Sequence, residues 1–521
     1  MKYFFSLIVL SICAATSFAQ RKTVAAQKPN VIYIMADDLG RGLLSFYGQQ
    51  KIKTPHIDRL AQQGVSFTNA YAGAYCAPSR AAFLTGYSDI SRKNWVLTTA
   101  GLYTQVAAGK LSDEDVQERV NNAIGKEPDI TYLPQIFKQA GYITGQIGKL
   151  EYGFTTTTQQ MNNHGWDYYY GYYDHQQCHG FYPMILHETG KLIHIPGNTH
   201  PDAGKNGEWG DSVSNAKRWN LEGKTVYSQD LFLQKILGFI REHKNQPFFL
   251  YHPTQLPHGP VAIPAIHPDF VFDTSLTQIE KEYASMVKRL DDDVNIIMQE
   301  LKVQGIANNT IVVFSSDNGH EIYYSNKGRI EKPYRNMKNG QLFNDFDNVY
   351  YSELSGDVFN GNDGMAGIKR SNLEGGVRVP LFVYWPKQFK KGLKVDRMVA
   401  NYDFMTTIAD LLKVKTKDKK DGLSFLTDLK GLRPKLIHET ISFSTHQGPA
   451  LITDDGWKLR YHAAYKRYQL FNIRKDYREE NDLAGKYPQK LNSLKAILLK
   501  KCDGDINNGV FSDAKDVRTV R

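Results

Sequence analysis

The sequence is poor in cysteine. Four occur in 521 residues, and one of them, Cys13, sits in an amino-terminal run that is expected to be removed. Cys76, Cys178 and Cys502 remain. Three thiols make at most one bridge and leave one over, so a disulfide framework is excluded as the source of stability. Long apolar runs are lacking as well. Lys2 precedes an apolar run from Tyr3 to Ala15, which is too short to span a bilayer. Ser17-Phe18-Ala19 follows as a small-x-small site, so residues 1–19 read as a secretory signal peptide cut after Ala19. A lipid anchor at Cys13 is disfavoured by the bulky Ile12 before it. No other stretch is a candidate span, and the mature protein is expected in the periplasm or outside the cell, with no stable membrane insertion. Low-complexity segments, internal repeats, zinc-finger spacings and a basic helix are all absent. Those absences argue against a nucleic-acid binder.

What is present is a chain long enough for one large domain and a smaller one. Apolar residues make up 41% of it, and the formal net charge is +10. A basic exported protein suits polyanionic partners, of which sulfated polysaccharide is one and nucleic acid another.

The apolar pattern predicts a mostly parallel sheet with helices on both faces. Val31 to Met35, Tyr142 to Ile147, Phe248 to Tyr251, Ile311 to Phe314 and Val379 to Trp385 read as buried strands. Helices are predicted at Pro55 to Ala61, at Leu133 to Ala140 with Gly141 as its stop, at Leu231 to Ile240 and at Tyr283 to Leu301. Such alternation is the mark of an α/β sandwich. Residues 154–225 and 320–365 are polar, rich in Gly, Asn and Tyr, and without sustained periodicity; they are expected to be ordered loops that build a pocket. From about residue 435 the pattern changes. Runs near Ala450 to Ile452 and Trp457 to Tyr461 predict a small antiparallel sheet, followed by a helix at Gln489 to Leu499. The division expected is therefore 20–434 for a large α/β domain and 435–521 for a small α+β domain.

Functional residues of a parallel sheet gather beyond the carboxyl ends of its strands. Asp37-Asp38 lies at such an end. Adjacent carboxylates repel unless a cation sits between them, although a solvated turn is an equal reading of this pair alone. Asp317-Asn318-Gly319 repeats the pattern at another strand end. Together the two pairs offer three carboxylates and an amide oxygen, a donor set for calcium or magnesium.

Residues 76 to 86 read Cys76-Ala77-Pro78-Ser79-Arg80-Ala81-Ala82-Phe83-Leu84-Thr85-Gly86. This resembles the signature C-x-P-S-R-x-x-x-x-T-G of the formylglycine-dependent sulfatases, of the alkaline-phosphatase-like superfamily, at every fixed position. Thr54-Pro55-His56-Ile57-Asp58, Gly148-Lys149, Pro257-His258, Ser316 to Gly319 and Glu374 to Pro380 resemble further blocks of that family in its order, and Tyr468 to Ala484 resembles its tail.

The resemblance implies conversion of Cys76 to formylglycine by a maturation enzyme. The hydrated aldehyde attacks sulfur and expels the substrate alcohol, and its second hydroxyl then lets sulfate leave. It implies a divalent cation, more often calcium than magnesium in this family, held by Asp37, Asp38, Asp317, Asn318 and the modified Cys76. Arg80 would support the formylglycine, Lys149 and Lys369 would contact the sulfate and its leaving oxygen, and His258 would protonate that oxygen. The family commonly carries a histidine two residues after the lysine of Gly148-Lys149, and here Glu151 stands in its place. Glu151 is expected to act as a base instead, to point elsewhere while another group serves, or to mark reduced activity. Cys178-His179-Gly180-Phe181-Tyr182-Pro183 resembles a segment near the family's pocket, which makes His179 a candidate sugar contact and His175 a second. The substrate implied is a sulfated saccharide. A phosphate or phosphonate ester hydrolase on the same fold, and a sulfated-glycan binder that has lost catalysis, are the alternatives.

Overall fold

The computed structural model describes residues 28–200, 220–325, 330, 333–434 and 436–520. The expected signal peptide, its cleavage site and Cys13 lie outside these residues, as does Lys435 at the expected start of the smaller domain.

A ten-stranded sheet forms the centre of the chain. Its strands are β1 (Asn30–Ala36), β2 (Val65–Tyr71), β4 (Ile143–Lys149), β5 (Tyr168–Tyr172), β6 (Ile185–Glu188), β7 (Lys191–His194), β8 (Phe248–Pro253), β9 (Thr310–Ser316), β10 (Leu381–Tyr384) and β11 (Leu393–Ala400). Across the sheet they run β11-β2-β10-β9-β1-β8-β4-β5-β6-β7. The middle five, β9-β1-β8-β4-β5, are mutually parallel. β10 enters antiparallel between β9 and β2, and β5, β6 and β7 close the other edge as antiparallel neighbours.

The central strands are apolar on both faces because both faces are covered. Val31, Tyr33 and Met35 of β1 join one core, while Ile32, Ile34 and Ala36 join the other. The first core is roofed by helices Cys76–Thr85, Leu133–Gln139 and Asp403–Leu412, and the second by Pro55–Gln63, Ser228–His243 and Gln278–Val303. The last of these begins five residues before the predicted start. Thr277 and Glu280 form a capping box there, with the Thr277 N–H donating to Glu280 Oε2 at 2.7 Å, and so extend the helix beyond its apolar stripe.

A second sheet has four antiparallel strands, β12 (Thr440–Phe443), β13 (Ala450–Thr453), β14 (Trp457–His462) and β15 (Arg467–Asn472). Helix Pro488–Lys501 packs on it through Leu494 and Leu498. Its other face meets the large sheet, where Ile441, Phe443 and Ile452 share a core with Tyr71 and Val377. The tail then folds back, and β16 (Val517–Arg518) lies parallel to β3 (Leu97–Thr98).

The α/β sandwich, the small antiparallel sheet and the late helix agree with the sequence reading. The stretch 154–225 does not, because it holds β5 and the β6–β7 hairpin. β5 is Tyr-Tyr-Tyr-Gly-Tyr and the strands of the hairpin are four residues each, so the period-two alternation that marks a half-buried strand is missing. Among the described residues Cys76, Cys178 and Cys502 are all free thiols and all buried.

Close backbone packing brings the strand ends together. At Gly319 a Cβ would lie 1.9 Å from the carbonyl oxygen of Gly375, and the Gly319 N–H donates to the Gly376 carbonyl at 3.0 Å. The Asp-Asn-Gly and Glu-Gly-Gly segments are therefore two sides of one contact. Gly319→Ala is expected to push them apart at a cost of about 2 kcal/mol or more, read as a lower unfolding midpoint. A variant as stable as the parent would show that the contact has slack.

Candidate active site

Four adjacent parallel strands deliver the polar residues. β1 ends into Asp37 and Asp38, β9 into Asp317 and Asn318, β4 in Lys149, and β8 runs on to His258. Backbone hydrogen bonds continue past the strands and keep these ends in register. The Asp317 N–H donates to the Ala36 carbonyl at 3.1 Å, and the Asp37 N–H to the Leu256 carbonyl at 3.0 Å. Helix Cys76–Thr85 starts beside them with Cys76 in its first turn, where helical N–H groups lack partners within the helix. Ser79 fastens that turn to the sheet: its Oγ donates to the Asp317 carbonyl at 2.5 Å and accepts the Gly73 N–H at 3.0 Å.

Three buried carboxylates meet three buried cations. Lys149 Nζ lies 2.8 Å from Asp37 Oδ2, and Lys369 Nζ 2.7 Å from Asp38 Oδ2. Arg80, wholly buried, places its guanidinium 2.9 Å from Asp317 Oδ2 and 3.4 Å from Asp37 Oδ2. Burial alone would raise Asp37, but Lys149, His258, Arg80 and Lys369 outweigh it and hold the carboxyl well below its ordinary range. Asp38 is lowered against its burial, with Lys369 the largest opposing influence. Asp317 goes the other way. Burial, with repulsion from Asp37, pushes it up to about 7 despite Arg80.

Two buried acceptors in this cluster have no hydrogen-bond partner, Asp37 Oδ1 and Asn318 Oδ1. Ligand atoms of Asp37, Asp38 and His258 lie within 4.8 Å of one another. Asp317 is turned toward the protein instead: Oδ1 accepts the Asp38 N–H at 3.0 Å, and Oδ2 takes Arg80. The sequence reading grouped Asp317 with the other two carboxylates, and the structure gives it a bracing geometry within the same cluster. Tyr323 is a member that the sequence did not reveal; its hydroxyl donates to Asp38 Oδ2. It lies in the polar stretch after Asp317, where no motif marks it.

The cluster opens into a cavity of about 430 Å³ whose lining includes Cys76, His175, His179, His258, Lys369 and Arg370. Both long polar stretches contribute to it, Phe154, His175 and His179 from one and Glu321 and Tyr323 from the other. The returning tail adds Asp513 and Val517, which lie in a segment that sequence reasoning assigned no role. His258 donates its Nδ1–H to the Gly259 carbonyl, so Nε2 faces Asp38 Oδ2 at 3.5 Å; burial lowers its pKa to about 4. His179 stacks face to face on His258, with ring centroids 4.4 Å apart. Tyr75 spreads its ring under Lys369 and Arg370, at 5.7 and 5.4 Å.

Glu151 is absent from that lining. Its backbone takes a left-handed turn, φ 58°, directly after Lys149 and Leu150. Its carboxylate is buried against Trp166 Nε1 at 2.6 Å and His164 Nδ1 at 2.9 Å, and His164 Nε2 lies 3.2 Å from Glu127. The base and substrate-binding roles expected of Glu151 are therefore corrected: both its oxygens are committed to an internal network.

Comparison with known proteins follows the same lines. The family model described as Sulfatase matches residues 29–414, and the model for the C-terminal region of N-sulphoglucosamine sulphohydrolase matches residues 367–503. An N-acetylgalactosamine-6-O-sulfatase of Bacteroides thetaiotaomicron is 27% identical over 91% of this chain and 93% of its own. The human N-acetylgalactosamine-6-sulfatase is 29% identical over 80% of this chain and 69% of its own. A solved sulfatase structure from a glycosaminoglycan-metabolism locus of Bacteroides thetaiotaomicron superposes with a TM-score of 0.66 at 25% identity, covering 91% of this chain and 99% of that one.

The Glu151 network makes a prediction with a defined sign. Burial would lower His164, but Glu151 and Glu127 outweigh it and raise the ring from 6.5 to about 9. A raised folded pKa gives stability that is complete below the unfolded value and lost as pH climbs through about 9. Glu151→Gln is expected to cost about 3 kcal/mol at neutral pH. The gap from the parent should narrow between pH 6.5 and 9 in denaturant titrations. Turnover per folded molecule should stay near the parent's. A stable variant with lost turnover would return Glu151 to the chemistry.

Proposed function

The chain belongs to the sulfatase family, and on that premise we propose that it removes sulfate from an amino sugar of a sulfated glycan, outside the cytoplasm, through a formylglycine made from Cys76. One observation carries the reading. Cys76 opens into a cavity at the first turn of a buried helix, with the carboxylates Asp37 and Asp38 and the ammonium groups of Lys149 and Lys369 beside it. A site that turns over a sulfate ester needs a nucleophile and cations placed where charge develops. The 6-sulfated N-acetylgalactosamine named for two relatives is the first sugar to test.

The residues fit a divalent cation. Asp37, Asp38 and Asn318 offer oxygen donors, two of them buried and unpartnered, and Asp317 adds a third carboxylate behind them. An all-oxygen set of this kind suits calcium, with magnesium second. Bound there, the ion would supply Lewis acidity toward the sulfate ester and the nucleophile.

The chain's own residues supply the rest. Three carboxylates and three cations roughly cancel, so a divalent ion would leave the site with an excess of positive charge that favours an anionic ester. Arg80 holds Asp317 and Asp37 in place, Lys369 lines the cavity, and Lys149 is paired with Asp37 behind it. His258 has Nδ1 committed to Gly259, which leaves Nε2 as the ring atom that would meet the leaving alcohol.

The test is free sulfate release from 6-sulfated N-acetylgalactosamine and a panel of other sulfated sugars, with matched phosphate esters alongside. The protein is produced together with a formylglycine-generating enzyme. Sulfate is expected from at least one sugar, abolished in Cys76→Ala while the unfolding midpoint holds. Phosphate release without sulfate release would move the protein to the phosphate-ester alternative. Chelation is expected to reduce turnover to background, with calcium restoring it; full activity in a chelator would remove the cation from the reaction.

A further inference from the structure

The family's histidine two residues beyond the catalytic lysine is replaced here, and its replacement Glu151 is tied to His164 and Trp166. A reaction through formylglycine still needs a proton acceptor beside residue 76. His258 is committed, with Nδ1 on Gly259 and Nε2 turned toward Asp38, and His179 is half-buried with its ring flat against His258. The third, His175, is free in the relevant sense. It is 2% exposed, it lines the cavity into which Cys76 opens, and neither ring nitrogen has a hydrogen-bond partner.

Its backbone, by contrast, is anchored. The His175 N–H donates to the Phe154 carbonyl at 2.8 Å, and its own carbonyl accepts the Cys178 thiol at 3.1 Å. Asp174, the residue before it, accepts the N–H groups of Gly101 at 2.8 Å, Tyr103 at 3.0 Å and Gln176 at 2.8 Å. The ring stands edge-on to Phe154, 5.8 Å between centroids. An imidazole on an anchored backbone, buried in the reaction cavity with nitrogens the fold does not use, is available to accept a proton there. Unsatisfied buried polar atoms are uncommon, and a catalytic role is one of the few reasons for a fold to keep them.

We propose that His175 is the base that regenerates the aldehyde at residue 76. This rests on the sulfatase reading above. Once the substrate alcohol has left, the residue-76 carbon bears one hydroxyl and one sulfate ester. A ring nitrogen of His175 takes the hydroxyl proton. The O–H electron pair becomes the new C=O bond, and the C–O bond to sulfate breaks, its electron pair leaving on the sulfate dianion. Water adds back across the carbonyl, and the imidazolium gives its proton to solvent.

The experiment compares matured parent, His175→Ala and His175→Asn by rapid quench with a sulfated sugar that the parent cleaves. The mass of the peptide bearing residue 76 is followed beside product release. In both variants one equivalent of desulfated sugar is expected in a burst, then turnover about 100-fold slower or more. The residue-76 peptide should retain a sulfo group that the parent loses. Because the ring makes no hydrogen bond in the fold, unfolding midpoints and aldehyde content should match the parent. Parent-like turnover with no retained sulfo group overturns the proposal. So does a raised KM at unchanged kcat, which would make His175 a substrate contact. A parent with the aldehyde that cleaves phosphate esters but releases sulfate from no sugar overturns the sulfatase reading, and this proposal with it.

Discussion

Three carboxylates buried within one cluster are the constraint on which the rest of the structure depends. Like charges a few ångströms apart in a weakly polar interior repel strongly, and removing each from water costs several kcal/mol more. Asp37, Asp38 and Asp317 are tolerable only because Lys149, Lys369 and Arg80 stand against them. These six residues come from widely separated parts of the chain. The fold must therefore bring β1, β4, β9, the helix that begins at Cys76 and the segment before Glu374 to one place.

The sheet order does this with little freedom left over. β9, β1, β8 and β4 are neighbours, so their carboxyl ends are adjacent by topology. Gly148 has φ 132°, and a Cβ there would stand 2.2 Å from the Pro253 carbonyl; the close approach lets Lys149 leave β4 next to β8. Ser79 and Arg80 both bond Asp317, one to its backbone and one to its carboxylate, so the helix that begins at Cys76 is registered against the strand that carries the carboxylate. Several sequence blocks that look like independent motifs are two halves of single contacts.

Much of this was legible in the sequence for a physical reason. Strands buried on both faces are continuous apolar runs, and β1, β8 and β9 stood out as such. Asp37-Asp38 and Asp317-Asn318 were visible because they terminate those runs. Less legible were elements whose stability comes from pairing rather than pattern. β11 alternates charged and apolar residues at a sheet edge, β16 is two residues long, and β7, the outer strand of its hairpin, is half-exposed. Tyr323 and Asp513 were illegible for a different reason: they reach the cavity from irregular chain, and only tertiary structure says which polar residue of a loop faces inward. Glu151 was found at the right point in the sequence with its direction left open, and a backbone turn with positive φ decides it by sending the side chain away from the strand ends.

That turn has an electrostatic logic. A carboxylate at 151 facing the cavity would sit near the sulfate of any substrate. At an effective dielectric of 20 and 4 Å the repulsion is about 4 kcal/mol. Directed inward, the same carboxylate instead meets a histidine held protonated by Glu151 and Glu127 together, and an indole N–H. The substitution thus removes a titratable group from the cavity and adds none of the wrong sign. Burial, with Lys149 and Arg80, holds His175 well below its ordinary pKa, so the ring is neutral. A neutral base leaves the positive excess of a cation-loaded site intact for the anionic ester, and it becomes charged only at the moment when a sulfate dianion is leaving.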